Sequence, residues 1–118
     1  AHLPLTLVYR QKFILLGAHD RAIYFLQRHI DGSGWDEDRY VSWCQLAEIF
    51  RQKKDYEKGL AAAFEALQER PEFPDAYIKI HDIYFDRSQW AKAVEWGNLG
   101  LAKPVPKTFT ILDPSSYT

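Results

Sequence analysis

Apolar residues between positions 40 and 71 recur with the spacing of two short helices. Trp43, Leu46 and Phe50 are three and four positions apart, which places them on one stripe of a helix with about 3.6 residues per turn. The next stretch has a face of small residues beside a face of large apolar ones, namely Gly59, Ala63 and Ala66 beside Leu60, Phe64 and Leu67. Small side chains opposite large ones let two helix axes approach to about 8–10 Å. The pattern therefore predicts a pair of antiparallel helices joined by a turn.

The same pattern returns 34 residues later, as the step from Trp43 to Tyr77 shows. Further equivalent positions in the first helices are Leu46 and Ile80, Ile49 and Ile83, and Phe50 and Tyr84. Those in the second helices are Tyr56 and Trp90, Gly59 and Ala93, Leu60 and Val94, and Leu67 and Leu101. A helix–turn–helix unit with this period is typical of a solenoid built from stacked repeats.

At these positions the chain resembles the tetratricopeptide repeat family. The matching residues are Trp43, Leu46, Ala47 and Phe50 in the first helix, Gly59 and Ala63 in the second, and Pro71 after it. Ala63 matches in its spacing from Gly59 but departs in residue type, since the family prefers an aromatic residue there, and His81 departs where the family prefers Gly or Ala. The resemblance implies an all-α, right-handed solenoid of antiparallel helix pairs, in which the first helix of each pair lines a concave groove.

The spacing divides residues 1–118, taken as a single domain, into about three helix pairs and a tail. We expect a degenerate repeat over 5–36, full repeats over 38–71 and 74–104, and a tail over 105–118. In the degenerate repeat, Gly17 is expected to end a first helix, and residues 18–30 to form its partner. Pro104 and Pro106 predict an extended tail that lies across the last helix pair. Because the sequence begins with Ala1, we expect the domain to be a fragment of a longer protein.

Polar residues and glycines suggest where the other helices begin and end. Asp55 and Ser88 are the expected N-caps of the second helix in each full repeat. Gly97 and Gly100 each cost about 1 kcal/mol in a helix interior relative to Ala. Either they permit close contact with a following helix, or this end of the chain frays.

Composition adds little that would direct the chain to a nucleic acid or a membrane. The formal net charge is −1, 47% of the residues are hydrophobic, and Cys44 is the single cysteine. There is no basic excess for nucleic acid, no apolar run of about 18 residues, and no second cysteine for an internal disulfide. We therefore expect a cytoplasmic domain that binds protein and requires no cofactor.

Residues that could carry catalysis are sparse. His81 with Asp82 and Asp86 is the one titratable cluster, and a hydrogen-bonded histidine packed between helices is the expected role for the first of these. The acidic run 36–38 precedes a helix, where acids stabilise the positive end of the helix dipole, so it is not predicted to bind metal. Asp31 begins a turn that lacks the acid and glycine required by a calcium loop. A stand-alone enzyme remains the alternative to a binding module.

The groove implied by the resemblance has a defined set of candidate residues. They are Gln11, Ile14, Cys44, Glu48, Arg51, Asp75, Ile78, Asp82 and Phe85. The chaperone-binding members of the family hold a peptide carboxylate with Lys, Arg and Asn, whereas acids outnumber Arg51 here. An apolar or basic segment is therefore the expected ligand, and a chaperone-adaptor role is the disfavoured alternative. The two ends of such a solenoid could also pair in a homodimer.

A second, looser resemblance concerns the parent protein. Its residues are Trp35, Pro71-x-Phe73-Pro74-x2-Tyr77, Trp90-x2-Ala93-x2-Trp96 and Asp113-Pro114-x2-Tyr117. These are similar to the repeat region that follows the catalytic domain in bacterial family-2 glycosyltransferases. This resemblance implies that the parent transfers a sugar from a nucleotide donor and that the present domain packs on that enzyme.

Overall fold

The computed structural model describes the backbone of residues 5–104 and the side chains of residues 17–104, and this part of the chain is all helical. Its helices are α1 (Leu5–Gly32), α2 (Asp36–Gln52), α3 (Tyr56–Glu69), α4 (Asp75–Asp86) and α5 (Trp90–Leu101). The all-α expectation is confirmed. The tail and the side chains of Gln11 and Ile14 lie outside the described residues, so the expectations for them stay predictions.

The two full repeats form two helical hairpins. Helix α2 packs against α3, and α4 packs against α5, while α3 and α4 join the hairpins and α1 covers α2. Leu46 and Ile80, which are equivalent in sequence, are both fully buried. They lie in one cluster with the small residues Ala62 and Ala63 of α3. The predicted pairing of large residues with small ones therefore builds the core.

The turns of the two hairpins make the same backbone hydrogen bonds at positions 34 residues apart. In the first turn, the amide of Asp55 donates to the carbonyl of Phe50 at 2.8 Å, and Lys54 has φ 63°. In the second, the amide of Gln89 donates to the carbonyl of Tyr84 at 2.9 Å, and Ser88 has φ 59°. Each turn is a Schellman motif, which ends a helix with one residue in the left-handed region. The two hairpins thus share both their apolar pattern and their backbone geometry.

These left-handed positions yield a stability prediction. Lys54→Gly and Ser88→Gly should each raise the free energy of unfolding by about 0.5–1 kcal/mol, because glycine adopts positive φ without the steric cost paid by other residues. Urea denaturation measures the change. Gln52→Gly, within the last turn of α2, is the control and should destabilise by up to about 1 kcal/mol. Loss of stability in either of the first two variants would contradict the turn geometry.

One expectation for the first repeat is wrong: Gly17 does not end a helix. Helix α1 runs without a break from Leu5 to Gly32, so residues 5–17 and 18–30 are not a helix pair. A single glycine costs a helix only about 1 kcal/mol, and apolar residues continue the helical period beyond it. Ile23, Leu26 and Ile30 belong to the core cluster that includes α2. The helix instead stops before the turn at residues 33–35, which follows Gly32.

The expected helix starts are confirmed at one position and wrong at another. Asp55 is the N-cap of α3, and its side chain accepts a hydrogen bond from the Lys58 amide at 3.5 Å. Ser88 is not the N-cap of α5, because it occupies the left-handed turn position and Gln89 precedes the helix. The equivalence of Ser88 with Lys54 explains the difference, since the repeat assigns both residues to the turn.

The glycines of α5 allow close approach to the preceding helix α4. A Cβ on Gly100 would lie 2.9 Å from the Cβ of Tyr77, and a Cβ on Gly97 would lie 3.0 Å from Nδ1 of His81. Such distances are tighter than ordinary van der Waals contacts, so a side chain at either position would force its neighbour to shift. Gly59 has the same role in α3, where a Cβ would lie 3.0 Å from Cδ1 of Ile83 in α4. The contact expected with a following helix is thus made with a preceding one at Gly97 and Gly100.

Candidate functional site

A groove of about 630 Å³ lies between α1, α2 and α4. Phe25 and Leu26 of α1 form one wall, Ile49 of α2 forms the other, and Glu48 and Lys79 add charge at its edge. Phe25 has 65% of its surface exposed, which is unusual for a large apolar side chain within a concave surface. The groove is therefore mainly apolar, with polar groups gathered on the side of α2 and α4.

Helical spacing explains why these residues face one another. On α1, the lining residues Ala22, Phe25, Leu26 and His29 follow the spacing of three and four that marks one helix stripe. On α2, Gln45, Glu48 and Ile49 follow it as well. On each helix, core residues lie one position along from the lining residues, and they pack α1 along α2. This packing holds the two stripes opposite each other across the groove.

An ionic cluster joins α2 to α4 beside the groove. Arg51 lies 2.6 Å from Asp86, 3.7 Å from Asp82 and 3.3 Å from Glu48. Lys79 donates to the Glu48 carboxylate at 3.1 Å. Three carboxylates thus face two cations, so the acidic excess expected from the sequence is largely neutralised. Lys79 was missed, although it lies three positions before Asp82 and so shares its helix stripe.

The two carboxylates nearest the groove differ in how their surroundings affect them. For Glu48, burial alone would raise the pKa, but Lys79, Gln52 and Arg51 outweigh it and leave the pKa below its usual value. For Asp82, burial is the dominant influence and raises the pKa, despite the opposing charges of Arg51 and Lys79. Ionised Glu48 therefore stabilises the fold, whereas ionised Asp82 does not.

This difference predicts opposite effects of two matched neutral substitutions. At neutral pH, Glu48→Gln should lower the free energy of unfolding by about 1 kcal/mol, while Asp82→Asn should leave it unchanged or slightly raised. A carboxylate whose folded-state pKa is depressed contributes stability that disappears as the pH falls through that pKa. The deficit of Glu48→Gln should thus begin to shrink below about pH 4.3, the ordinary pKa of a glutamate, and close below the lower pKa that Glu48 has in the folded domain. Urea denaturation across this pH range measures both, and equal deficits at neutral pH would contradict the assignment.

Two candidate groove residues prove to be buried. Cys44 has no exposed surface and lies beneath the groove, in a cluster with Tyr40, Ala66 and Phe73. Burial, with a smaller contribution from the charge of Asp75, raises the pKa of the Cys44 thiol, so no reactive thiolate forms. Asp75 is only 3% exposed, in the first turn of α4. Asp75 does not line the groove, whereas Cys44 forms part of its floor without any surface exposed to solvent.

The remaining candidates lie elsewhere on α4. Cγ1 of Ile78 lies 3.4 Å from the position of a Cβ on Gly100, so this side chain faces α5. Phe85 is half exposed and packs edge-to-face on Trp90, with ring centroids 5.1 Å apart. Of the proposed set, Glu48 and Cys44 line the groove, Glu48 at its edge and Cys44 at its floor. Phe25 and Leu26 were missed because the sequence division at Gly17 misplaced the faces of α1. Ile49 was missed because the repeat pattern assigned it to the apolar stripe, as the equivalent of Ile83.

His81 and its acidic neighbours hold helices together. Nδ1 of His81 donates to the carbonyl of Ala93 at 2.7 Å, which links α4 to α5. Its Nε2 is 4.0 Å from Asp82, and Asp82 and Asp86 both face Arg51. The packed, hydrogen-bonded role expected for His81 is confirmed, although about a third of its side chain is exposed.

The acidic run at the start of α2 lies in the first turn, as expected. Glu37 accepts a hydrogen bond from Arg70 at 2.7 Å, and Asp38 lies 2.5 Å from His29. These contacts tie the start of α2 to α1 and to the turn after α3. Nowhere in the described part of the chain do three His, Cys, Asp or Glu side chains gather in a way that could hold a metal ion.

Comparisons with known proteins complete the description of the site. No protein-family model, curated protein or solved structure matches the chain. Among residues 5–104, no helix has the length and apolar character needed to cross a membrane. The function must therefore be inferred from the groove itself.

Proposed function

We propose that this domain is a non-catalytic helical-repeat module of the tetratricopeptide type that binds a segment of protein in the groove between α1, α2 and α4. The observation that carries the proposal is the apolar wall of the groove, where Phe25 remains 65% exposed beside Leu26 and Ile49. An exposed aromatic side chain in a concave surface is typical of a binding site.

The repetition of the two hairpins supports a solenoid. Equivalent turns carry equivalent hydrogen bonds, and the first helices of the two hairpins, α2 and α4, are in contact. In a stack of helix pairs, neighbouring first helices line up and form one face. The groove lies on this face, since α2 and α4 both contribute to it.

The charges at the groove favour an apolar segment with a basic residue over an acidic one. Glu48, Asp82 and Asp86 exceed Arg51 and Lys79 by one negative charge, and these five groups already pair with one another. A peptide carboxylate would have to compete with Glu48 for Lys79. Apolar side chains of the ligand could instead cover Phe25 and Ile49 without disturbing any ion pair.

A peptide array probed with the full chain tests this proposal. We expect apolar and basic peptides to be retained, and Phe25→Ser to weaken their binding at least tenfold, a loss of about 1.4 kcal/mol. Trp35→Ser is the matched control, because Trp35 is 61% exposed but does not line the groove. Preferential retention of acidic C-terminal peptides would favour the chaperone-adaptor alternative, and unchanged binding by Phe25→Ser would reject the groove.

The parent's own catalytic domain is a further candidate ligand. The aromatic and proline spacing that resembles the repeat region of bacterial family-2 glycosyltransferases supports it. In that arrangement an apolar segment of the enzyme would occupy the groove in cis. The coding sequence upstream of Ala1 tests this directly, because it must encode a nucleotide-sugar domain, and any other upstream sequence would exclude this ligand.

A further inference from the structure

Helix α5 carries an exposed apolar stripe. Trp90, Val94 and Leu101 are 56%, 59% and 77% exposed, and their spacing of four and seven residues places them on one side of the helix. Gly97 lies between them, at the margin where α5 meets His81 of α4. We call residues 90, 94, 97 and 101 the α5 stripe. Large apolar residues aligned in this way mark a surface that packs against another segment.

The equivalent helix of the first hairpin, α3, carries a corresponding stripe. The residues equivalent to the α5 stripe in α3 are Tyr56, Leu60, Ala63 and Leu67. In α3, Ala63 is fully buried, and Leu60 and Leu67 pack in the same cluster as Ile80 of α4. Helix α4, which follows α3, therefore helps to cover the stripe of α3. In α5, Trp90 meets Phe85 and Gly97 meets His81, but Val94 and Leu101 stay largely exposed among residues 17–104.

The sequences that follow α3 and α5 have a similar order of residue types. After α3, a turn containing Pro71 leads to Phe73, which is buried where the chain turns back into α4. After α5, Pro104 and Pro106 precede Phe109, which Ile111 and Leu112 follow closely. In sequence, both helices are thus followed by proline and then by a large apolar residue.

We propose that residues 105–118 return along α5 and cover the α5 stripe with Phe109, Ile111 and Leu112. The stripe from Leu101 back to Trp90 is about 16 Å long at about 1.5 Å per helical residue. The segment 105–118 can reach up to about 46 Å when extended. In sequence it begins four residues after Leu101, the most exposed residue of the stripe, so its length and its starting point both suit this role. The proposal is independent of what the groove binds.

Thiol reactivity tests the covering of the stripe in the full chain. In a Cys44→Ala background, Val94→Cys introduces a thiol on the stripe and Glu95→Cys introduces a matched thiol on the exposed side of α5. We expect iodoacetamide to react with the thiol of Val94→Cys at least tenfold more slowly than with that of Glu95→Cys. Combining Val94→Cys with Phe109→Ser, Ile111→Ser and Leu112→Ser should restore the faster rate. Leu101→Cys provides a second reporter if Val94→Cys lowers stability.

Three results would overturn the proposal. Equal rates at positions 94 and 95 would show that the stripe is open to solvent. Protection that disappears on dilution would show that a second copy of the chain covers the stripe. Protection that survives the three tail substitutions would show that another part of the chain covers it. Urea unfolding of each variant verifies that the helices remain folded during the assay.

Discussion

Leu46→Ala and Ile80→Ala should each lower the free energy of unfolding by about 2–5 kcal/mol. Both side chains are fully buried and belong to one cluster. Truncation to alanine removes buried methyl groups and leaves a cavity, because the small residues Ala62 and Ala63 opposite cannot fill the space. Since a domain of this size is stable by only about 5–15 kcal/mol, either substitution should lower the midpoint of urea denaturation severely.

The comparison between the stability losses of these two variants is more informative than either loss alone. Leu46 and Ile80 occupy equivalent positions of the two hairpins, so their losses should be similar. Leu99→Ala is the control, since Leu99 is 44% exposed and its truncation should change stability by no more than about 0.5 kcal/mol. A small loss of stability at either Leu46 or Ile80 would show that the two hairpins are not equivalent.

Tyr40→Phe should lower the free energy of unfolding by about 1–3 kcal/mol, although it removes one oxygen atom. The backbone amide of Ala76 donates to the Tyr40 hydroxyl at 3.0 Å, and this amide belongs to the first turn of α4. Helical amides in the first turn have no carbonyl partner within the helix. Because Tyr40 is fully buried, water cannot replace its hydroxyl, and the amide would be left without its acceptor.

Tyr24→Phe is the matched control for this substitution. The hydroxyl of Tyr24 accepts a hydrogen bond from Arg28 at 3.0 Å, but the side chain is 54% exposed. Water can replace the lost acceptor there, so stability should change by less than about 0.5 kcal/mol. Urea denaturation measures both variants. If Tyr40→Phe were as mild as Tyr24→Phe, the hydroxyl would not be holding the start of α4.

Periodicity allowed the two hairpins to be predicted from the sequence. The equivalence of Leu46 with Ile80 fixed which faces are buried, and helix-start chemistry identified Asp55. Both signals are local, since they depend on residues within one or two turns of helix. Elements whose structure depends on local patterns were therefore predicted with bounds close to those observed.

Helix α1 and the groove could not be predicted in the same way. Gly17 alone does not reveal whether a helix continues, because its cost of about 1 kcal/mol is decided by packing further along the chain. Cys44 and Glu48 illustrate the second difficulty. They lie on the same face of α2, yet Cys44 is fully buried and Glu48 meets Lys79 of another helix. Which side chains reach a shared groove depends on how helices pack, and the repeat pattern does not encode that packing.

Insertion of an extra repeat tests the equivalence of the hairpins most directly. A second copy of residues 70–103 placed directly after Lys103 would give α5 a following helix, in the way that α4 follows α3. Stability in such stacks is close to a sum over repeats and their interfaces. We therefore expect one cooperative urea transition with a larger denaturant dependence and a midpoint no lower than that of the parent chain. A lower midpoint, a separate early transition or loss of cooperative unfolding would contradict the repeat.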